Sequence, residues 1–187
     1  DSSGFNGLTM FDFNQDGLNE LVYRDEDFLR IMEGSTGVNI TTYPIQNGTG
    51  MEYPVVDDVD NDGEAEILVS GYTTTWSQQR LFCFESGGTP WAPARSVWNQ
   101  PGYHVTNVND DLTIPRYQQN QATPLVGYET CLLPTCPAPY NAFMAQATFR
   151  TQQGCVQSPA ADLSLDIVAV VCVDPYLMLC FSVGNSG

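Results

Sequence analysis

Two nonamers hold the side chains best suited to chemistry. Residues Asp12 to Glu20 read Asp-Phe-Asn-Gln-Asp-Gly-Leu-Asn-Glu, and Asp58 to Glu66 read Asp-Val-Asp-Asn-Asp-Gly-Glu-Ala-Glu. Oxygen-bearing side chains stand at positions 1, 3, 5 and 9 of each. They are Asp12, Asn14, Asp16 and Glu20 in the first copy, and Asp58, Asp60, Asp62 and Glu66 in the second. Calcium is a hard cation that collects oxygen ligands from a short loop. The backbone carbonyls of Leu18 and Glu64, at position 7, add one more oxygen each, and Gly17 and Gly63 permit the sharp turn. Without a cation, so many carboxylates in nine residues repel one another. The bland alternative is a pair of acidic hairpin turns, since Asp-Gly is a strong turn signal. An EF-hand is excluded: position 12 is Tyr23 or Val69, not Glu, and strand-like sequence follows each loop. The expectation is therefore two calcium sites, each between two strands.

The elements that must position these loops read as short strands. Gly7–Phe11 leads into the first loop and Glu20–Arg24 leads out, followed by Phe28–Met32 and Val38–Tyr43. Tyr53–Val56 enters the second loop, with Glu66–Ser70 and Arg80–Phe84 after it. The second nonamer begins 46 residues after the first. That interval matches the roughly 40–50 residues of a four-stranded propeller blade. A decayed third copy begins 49 residues later, with Asn107, Asn109 and Asp111 at positions 1, 3 and 5. It has Leu112 in place of Gly and Pro115 in place of the acid, so it is expected to be a polar turn rather than a metal site.

Composition narrows the partners. The chain has 187 residues and a net charge of −16, and all six of its basic residues are Arg. Such acidity makes the chain a poor candidate for binding nucleic acid or anionic membrane surfaces. No apolar run is long enough to span a membrane. The absence of an initiator Met and a signal peptide makes Asp1 a processed end or an internal cut. Six Cys without a Cys-x-x-Cys pair, beside a single His, suit disulfides in an oxidising, extracellular setting better than zinc. Cys172 and Cys180 are expected to pair. One bridge is expected among Cys131, Cys136 and Cys155, either Cys136–Cys155 or Cys131–Cys136. Cys83 is expected as a buried thiol.

The two nonamers with their strand flanks resemble FG-GAP/VCBS-type repeats, the blades of integrin-α-like propellers. Trp91–Gln100 and the stretch from Tyr103 to Pro115 resemble the closing part of such propellers in large secreted and surface proteins of gliding-type bacteria. Many of those are type IX secretion substrates. The resemblance implies an all-β, partial β-propeller over residues 1–118, with two full blades, a degenerate third and calcium in the loops. It also implies that further blades precede Asp1 or come from a partner. Residues 119–160, rich in Pro and Cys, read as a linker module with one short helix over Phe143–Arg150. Residues 161–187 resemble the first strands of an immunoglobulin-like, CARDB-type module.

No nucleophile–base set is present, and the lone His104 reads as structural. Trp76, Trp91, Trp98, Tyr72 and Tyr103 are candidates for a sugar or peptide platform, against the favoured reading as packing between blades. The expected protein is exported and acts at the cell surface in adhesion or in binding a glycan or protein ligand. Secretion or surface-anchoring machinery is a further expected partner. The alternative is an accessory or catalytic propeller of a polysaccharide-degrading enzyme, by analogy with the family alone.

Overall fold

The computed structural model describes residues 6–48, 52–72, 80–125 and 140–148 in full, and the backbone of residues 164–173 and 176–184. Strands form where β-branched and aromatic residues alternate with polar ones, because that pattern buries one face of a pleated ribbon. Strands β1 (Leu8–Phe11), β2 (Glu20–Arg24), β3 (Phe28–Glu33) and β4 (Asn39–Pro44) make an antiparallel four-stranded meander in sequence order. Strands β5 (Val55–Asp57), β6 (Glu66–Gly71) and β7 (Arg80–Ser86) repeat its first three members. The first nonamer joins β1 to β2 and the second joins β5 to β6. The register pairs Phe11 with Glu20 in one and Asp57 with Glu66 in the other.

The region is all-β, with almost no helix among the described residues: one 3-10 turn at Val105–Asn107. The second sheet departs from the expected full blade. Its fourth place is taken by β9 (Tyr176–Gly184), which runs parallel to β7, with β8 (Ser164–Val173) antiparallel outside it. The two strands expected near the end of the chain thus do form a hairpin, and that hairpin extends the second sheet. No closed ring of blades is present among the described residues.

One apolar core joins the two sheets. It contains Phe11, Val22, Leu29 and Ile31 from the first sheet and Ile67, Val69, Phe82 and Phe84 from the second. Phe13, from the first nonamer, sits edge-on between Phe11 and Trp91, with ring centroids 4.9 and 4.7 Å away. Tyr43 of β4 meets Phe84 of β7 at 5.1 Å. Each fully buried side chain of this size contributes about 1.5–3 kcal/mol. Because Phe13 and Ala65 belong to the nonamers themselves, the loops are anchored in the core they cap. Trp91 and Tyr103 are almost fully buried, so both belong to packing and not to an exposed platform. Trp76 lies outside the described residues.

Residues 140–148 run as a strap with a turn at 143–144, which corrects the helix expected over Phe143–Arg150 as far as the described residues reach. Ala145 bridges Met10 in parallel and Thr148 bridges Ala94. Met10 donates to Met144 O at 2.9 Å, and Gln146 N donates back to Met10 O at 2.9 Å. Gln146 is the pin. Its Nε2 donates to Val56 O at 3.0 Å and Arg95 O at 2.9 Å, and its Oε1 accepts from the Tyr103 hydroxyl at 2.6 Å. Buried backbone carbonyls need partners, and those available here come from this strap. A helix would satisfy its own carbonyls and leave these without partners.

Cys83 is buried in β7, as expected. The Cys172–Cys180 pairing does not fit the register. Cys172 opposes Leu177 and Cys180 opposes Ala169, so the two are three positions out of step. That offset is about 10 Å along a strand, against a Cα span of about 4.4–6.8 Å in disulfides. Cys131, Cys136 and Cys155 lie outside the described residues.

Candidate metal centre

Each nonamer is a turn built by its own side chains. In the first, Asp16 N donates to Asn14 Oδ1 at 2.9 Å and Leu18 N to Asp16 Oδ1 at 2.7 Å. In the second, Asp62 N donates to Asp60 Oδ1 at 3.1 Å and Glu64 N to Asp62 Oδ1 at 2.9 Å. The glutamate at position 9 closes both loops. Glu20 Oε2 accepts from Phe13 N at 2.9 Å, and Glu66 Oε2 from Val59 N at 2.6 Å. Gly17 and Gly63 hold φ of 90° and 93°, a region where a Cβ is strained.

The two copies differ in what is left over. In the first, both oxygens of Asp12 are taken by backbone, Oδ1 by Asp16 N at 3.1 Å and Oδ2 by Gly17 N at 2.9 Å. Asn14 Nδ2 donates to Asp16 Oδ2 at 3.3 Å. In the second, Asp58, Asp60 and Glu66 bring ligand-capable oxygens within 4.8 Å of one another, a convergence found at no other site among the described residues. Asp58 Oδ1 is buried and has no hydrogen-bond partner. A buried carboxylate oxygen without a donor is costly unless a cation fills the place. The donor set is all oxygen, which fits calcium and not zinc. Asp62 sits beside this trio with one oxygen on Glu64 N, and the Glu64 side chain turns to Ser86 Oγ at 2.9 Å, leaving its carbonyl as the position-7 oxygen.

Electrostatics are alike at position 9 of the two loops. Burial, opposed by the Phe13 N–H, pushes the Glu20 carboxyl up to about 8; burial, opposed by the Val59 N–H, pushes Glu66 to about 8 as well. Burial is also the main cause that raises Asp12 and Asp57 to about 6. Carboxylates that resist ionisation in a loop of like charges are ones a divalent cation would discharge.

The third copy keeps the turn and loses the site. Thr113 N donates to Asp111 Oδ1 at 3.0 Å, the same bond as in the other loops, and Leu112 holds φ of 66° where they have glycine. Asn107 is buried and its Nδ2 donates to Gly102 O at 2.9 Å. Here the cation is internal. Arg95 donates from Nε to Asp110 Oδ1 at 2.5 Å, from Nη1 to Val105 O at 2.8 Å and from Nη2 to Val108 O at 2.7 Å. Sequence reasoning missed Arg95. The signal available was a scarce basic residue shortly before an acidic, neutral-amide loop.

His104 is buried, its Nδ1 has no hydrogen-bond partner, and burial holds its pKa below the usual value. No acid or nucleophile touches it among the described residues, which fits a structural role.

Residues 12–69 match the FG-GAP-like repeat family. This stretch is an all-β repeat region of the FG-GAP type. Its matched residues begin at the first nonamer and end on β6, so they hold both loops and the strands between them. The crystal structure of the V. cholerae biofilm matrix protein Bap1 superposes with a TM-score of 0.52 at 24% identity. The match covers 78% of this chain and 22% of that one, so the chain spans about a fifth of that protein's length. At that identity the likeness establishes the fold alone. No curated protein matches the chain.

Proposed function

We propose that this chain is a calcium-stabilised FG-GAP-type repeat segment of a secreted or cell-surface protein, and that it works in adhesion. The observation that supports this most directly is the second loop, where Asp58, Asp60 and Glu66 bring oxygens within 4.8 Å of one another and Asp58 Oδ1 is buried without a hydrogen-bond partner. Asp62 and the Glu64 carbonyl complete the ligand set, and the first loop offers Asp12, Asn14, Asp16, Glu20 and the Leu18 carbonyl. Calcium supplies no reaction here. It neutralises the loop and ties the two strands of each hairpin together, so a repeat with a small core keeps its shape outside the cell. A structural neighbour that is a biofilm matrix protein supports an extracellular, matrix-associated setting.

Two measurements test this. Calorimetric titration of the metal-stripped chain should show calcium binding that Asp58→Ala weakens strongly. The fluorescently labelled chain should be retained on the surface of the cells that produce it in calcium and released by a chelator. An absence of calcium binding at millimolar concentration, or retention no better than serum albumin, would refute the corresponding half.

A further inference from the structure

A cleft of about 370 Å³ opens beside the third loop. Arg95, Val108, Asn109, Asp110, Pro115 and Tyr117 are among the residues that line it. Ligand clefts run from about 300 to 1,000 Å³, so this one suits a small unit such as a mono- or disaccharide.

Three features of the wall define the ligand. Tyr117 is 82% exposed, a large aromatic ring left in water at the cleft's edge. Arg116 lies with its guanidinium carbon 5.4 Å from that ring's centroid, which holds one face and leaves the other bare. A bare aromatic face is a platform for the C–H face of a sugar ring. Second, Asp110 gives one oxygen to Arg95, and its other oxygen accepts no hydrogen bond among the described residues. Asn109 gives its amide nitrogen to Thr113 Oγ1 at 2.8 Å, and its side-chain oxygen likewise accepts none. These are two acceptors for hydroxyl donors. Third, Arg95 and Asp110 cancel each other's charge, in a chain whose net charge is −16. Among the lining residues the charge is balanced; the Arg116 guanidinium behind the ring is the one cation beside it, and the field of the acidic chain opposes an anion.

We propose that this cleft binds a neutral hexose unit of a polysaccharide, stacked on Tyr117 with its hydroxyls on Asp110 and Asn109. The inference rests on the adhesion reading and names its ligand class. It places recognition beside the loop held by Arg95.

The test uses the whole chain in calcium, titrated by saturation-transfer NMR with gluco-, manno- and galacto-configured tetrasaccharides and with a tetra-uronate. At least one neutral sugar should bind in the millimolar range. Tyr117→Ala should weaken it about 10-fold, the size expected for losing one good stacking contact, while Tyr117→Phe keeps it. Asp110→Ala serves as a second probe and should weaken binding by a smaller factor. Binding by none of the neutral sugars, tighter binding of the uronate, or equal binding by Tyr117→Ala would overturn the proposal. Cell-surface retention that survives alongside such a result would leave the adhesion reading standing with a different ligand. Loss of retention by the unaltered chain, with sugar binding intact, would remove the adhesion reading alone.

Discussion

The second and third loops share a backbone bond and a left-handed position 6, and differ in what gathers around them. Both place a backbone N–H from position 7 on the side chain at position 5, at 2.9 Å in Glu64–Asp62 and 3.0 Å in Thr113–Asp111. Both hold position 6 at positive φ. The second loop then gathers Asp58, Asp60 and Glu66 and leaves Asp58 Oδ1 without a donor. The third has traded its ligands for amides and a proline, and it receives Arg95 instead, with bonds to Val105 O, Val108 O and Asp110. The third loop is thus held by a guanidinium from the neighbouring segment, where the second gathers carboxylates that no residue of the chain neutralises among the described residues.

The largest way to break this comparison is Arg95→Ala. It leaves the carbonyls of Val105 and Val108 without their donor in a buried site, each costing about 1–3 kcal/mol, so we expect a loss near 3 kcal/mol. Chemical denaturation measures it, and the loss should be the same with and without calcium. A penalty that disappears at high calcium would mean that the third loop takes metal after all.

Calcium removal comes next. If the ion stands at about 100 times its dissociation constant, removal costs about 2.7 kcal/mol. Asp60→Ala should lower the melting temperature in saturating calcium more than Asn14→Ala, because ligand charge tightens such sites. The first loop also already satisfies Asp12 with its own backbone. A chelator should shrink the gap between the two variants. An unchanged melting temperature on chelation would end the structural-metal account.

A pH dependence comes next, and both loops share in it. In the chelated protein, burial raises Glu20 and Glu66 from 4.5 to about 8. The folded state then holds more protons than the unfolded state between those values, so stability should fall as pH rises from about 5 to 8. Calcium should flatten that slope by occupying the carboxylates. Glu66→Gln should flatten it in the chelated protein by removing one of the titrating groups. A slope that is identical with and without calcium would count against ligation by these glutamates.

The smallest is at position 6. Leu112 holds φ of 66°, which disfavours a side chain with a Cβ. Leu112→Gly should therefore gain about 0.5–1 kcal/mol after the entropy cost of glycine. Gly63→Leu should cost a similar amount or more. A destabilising Leu112→Gly, measured by denaturant midpoint, would show that the 65% exposed leucine makes contacts that outweigh its backbone strain.

Much of the repeat is legible in the sequence, because its signals are local. Expected strand Glu20–Arg24 matches β2 residue for residue, and Phe28–Met32 and Arg80–Phe84 match β3 and β7 apart from their last one or two residues. Alternation of apolar and polar residues specifies a half-buried strand, and a spaced run of carboxylates with glycine specifies the turn between two of them. The tertiary structure decided what local signals do not carry. Asp12 and Asp58 occupy the same place in the same motif, yet one is bonded by its own loop and the other keeps a bare oxygen. Arg95 reaches a loop more than ten residues on, and the strap pinned by Gln146 reaches β1 from more than a hundred residues away. Cys172 and Cys180 looked like partners by separation, and a register of three residues out of step parts them. Neighbouring residues announce a turn through their own spacing. A long-range hydrogen bond depends on which buried donors and acceptors are still unpaired once the sheets have packed, and that pairing exists only in the folded chain.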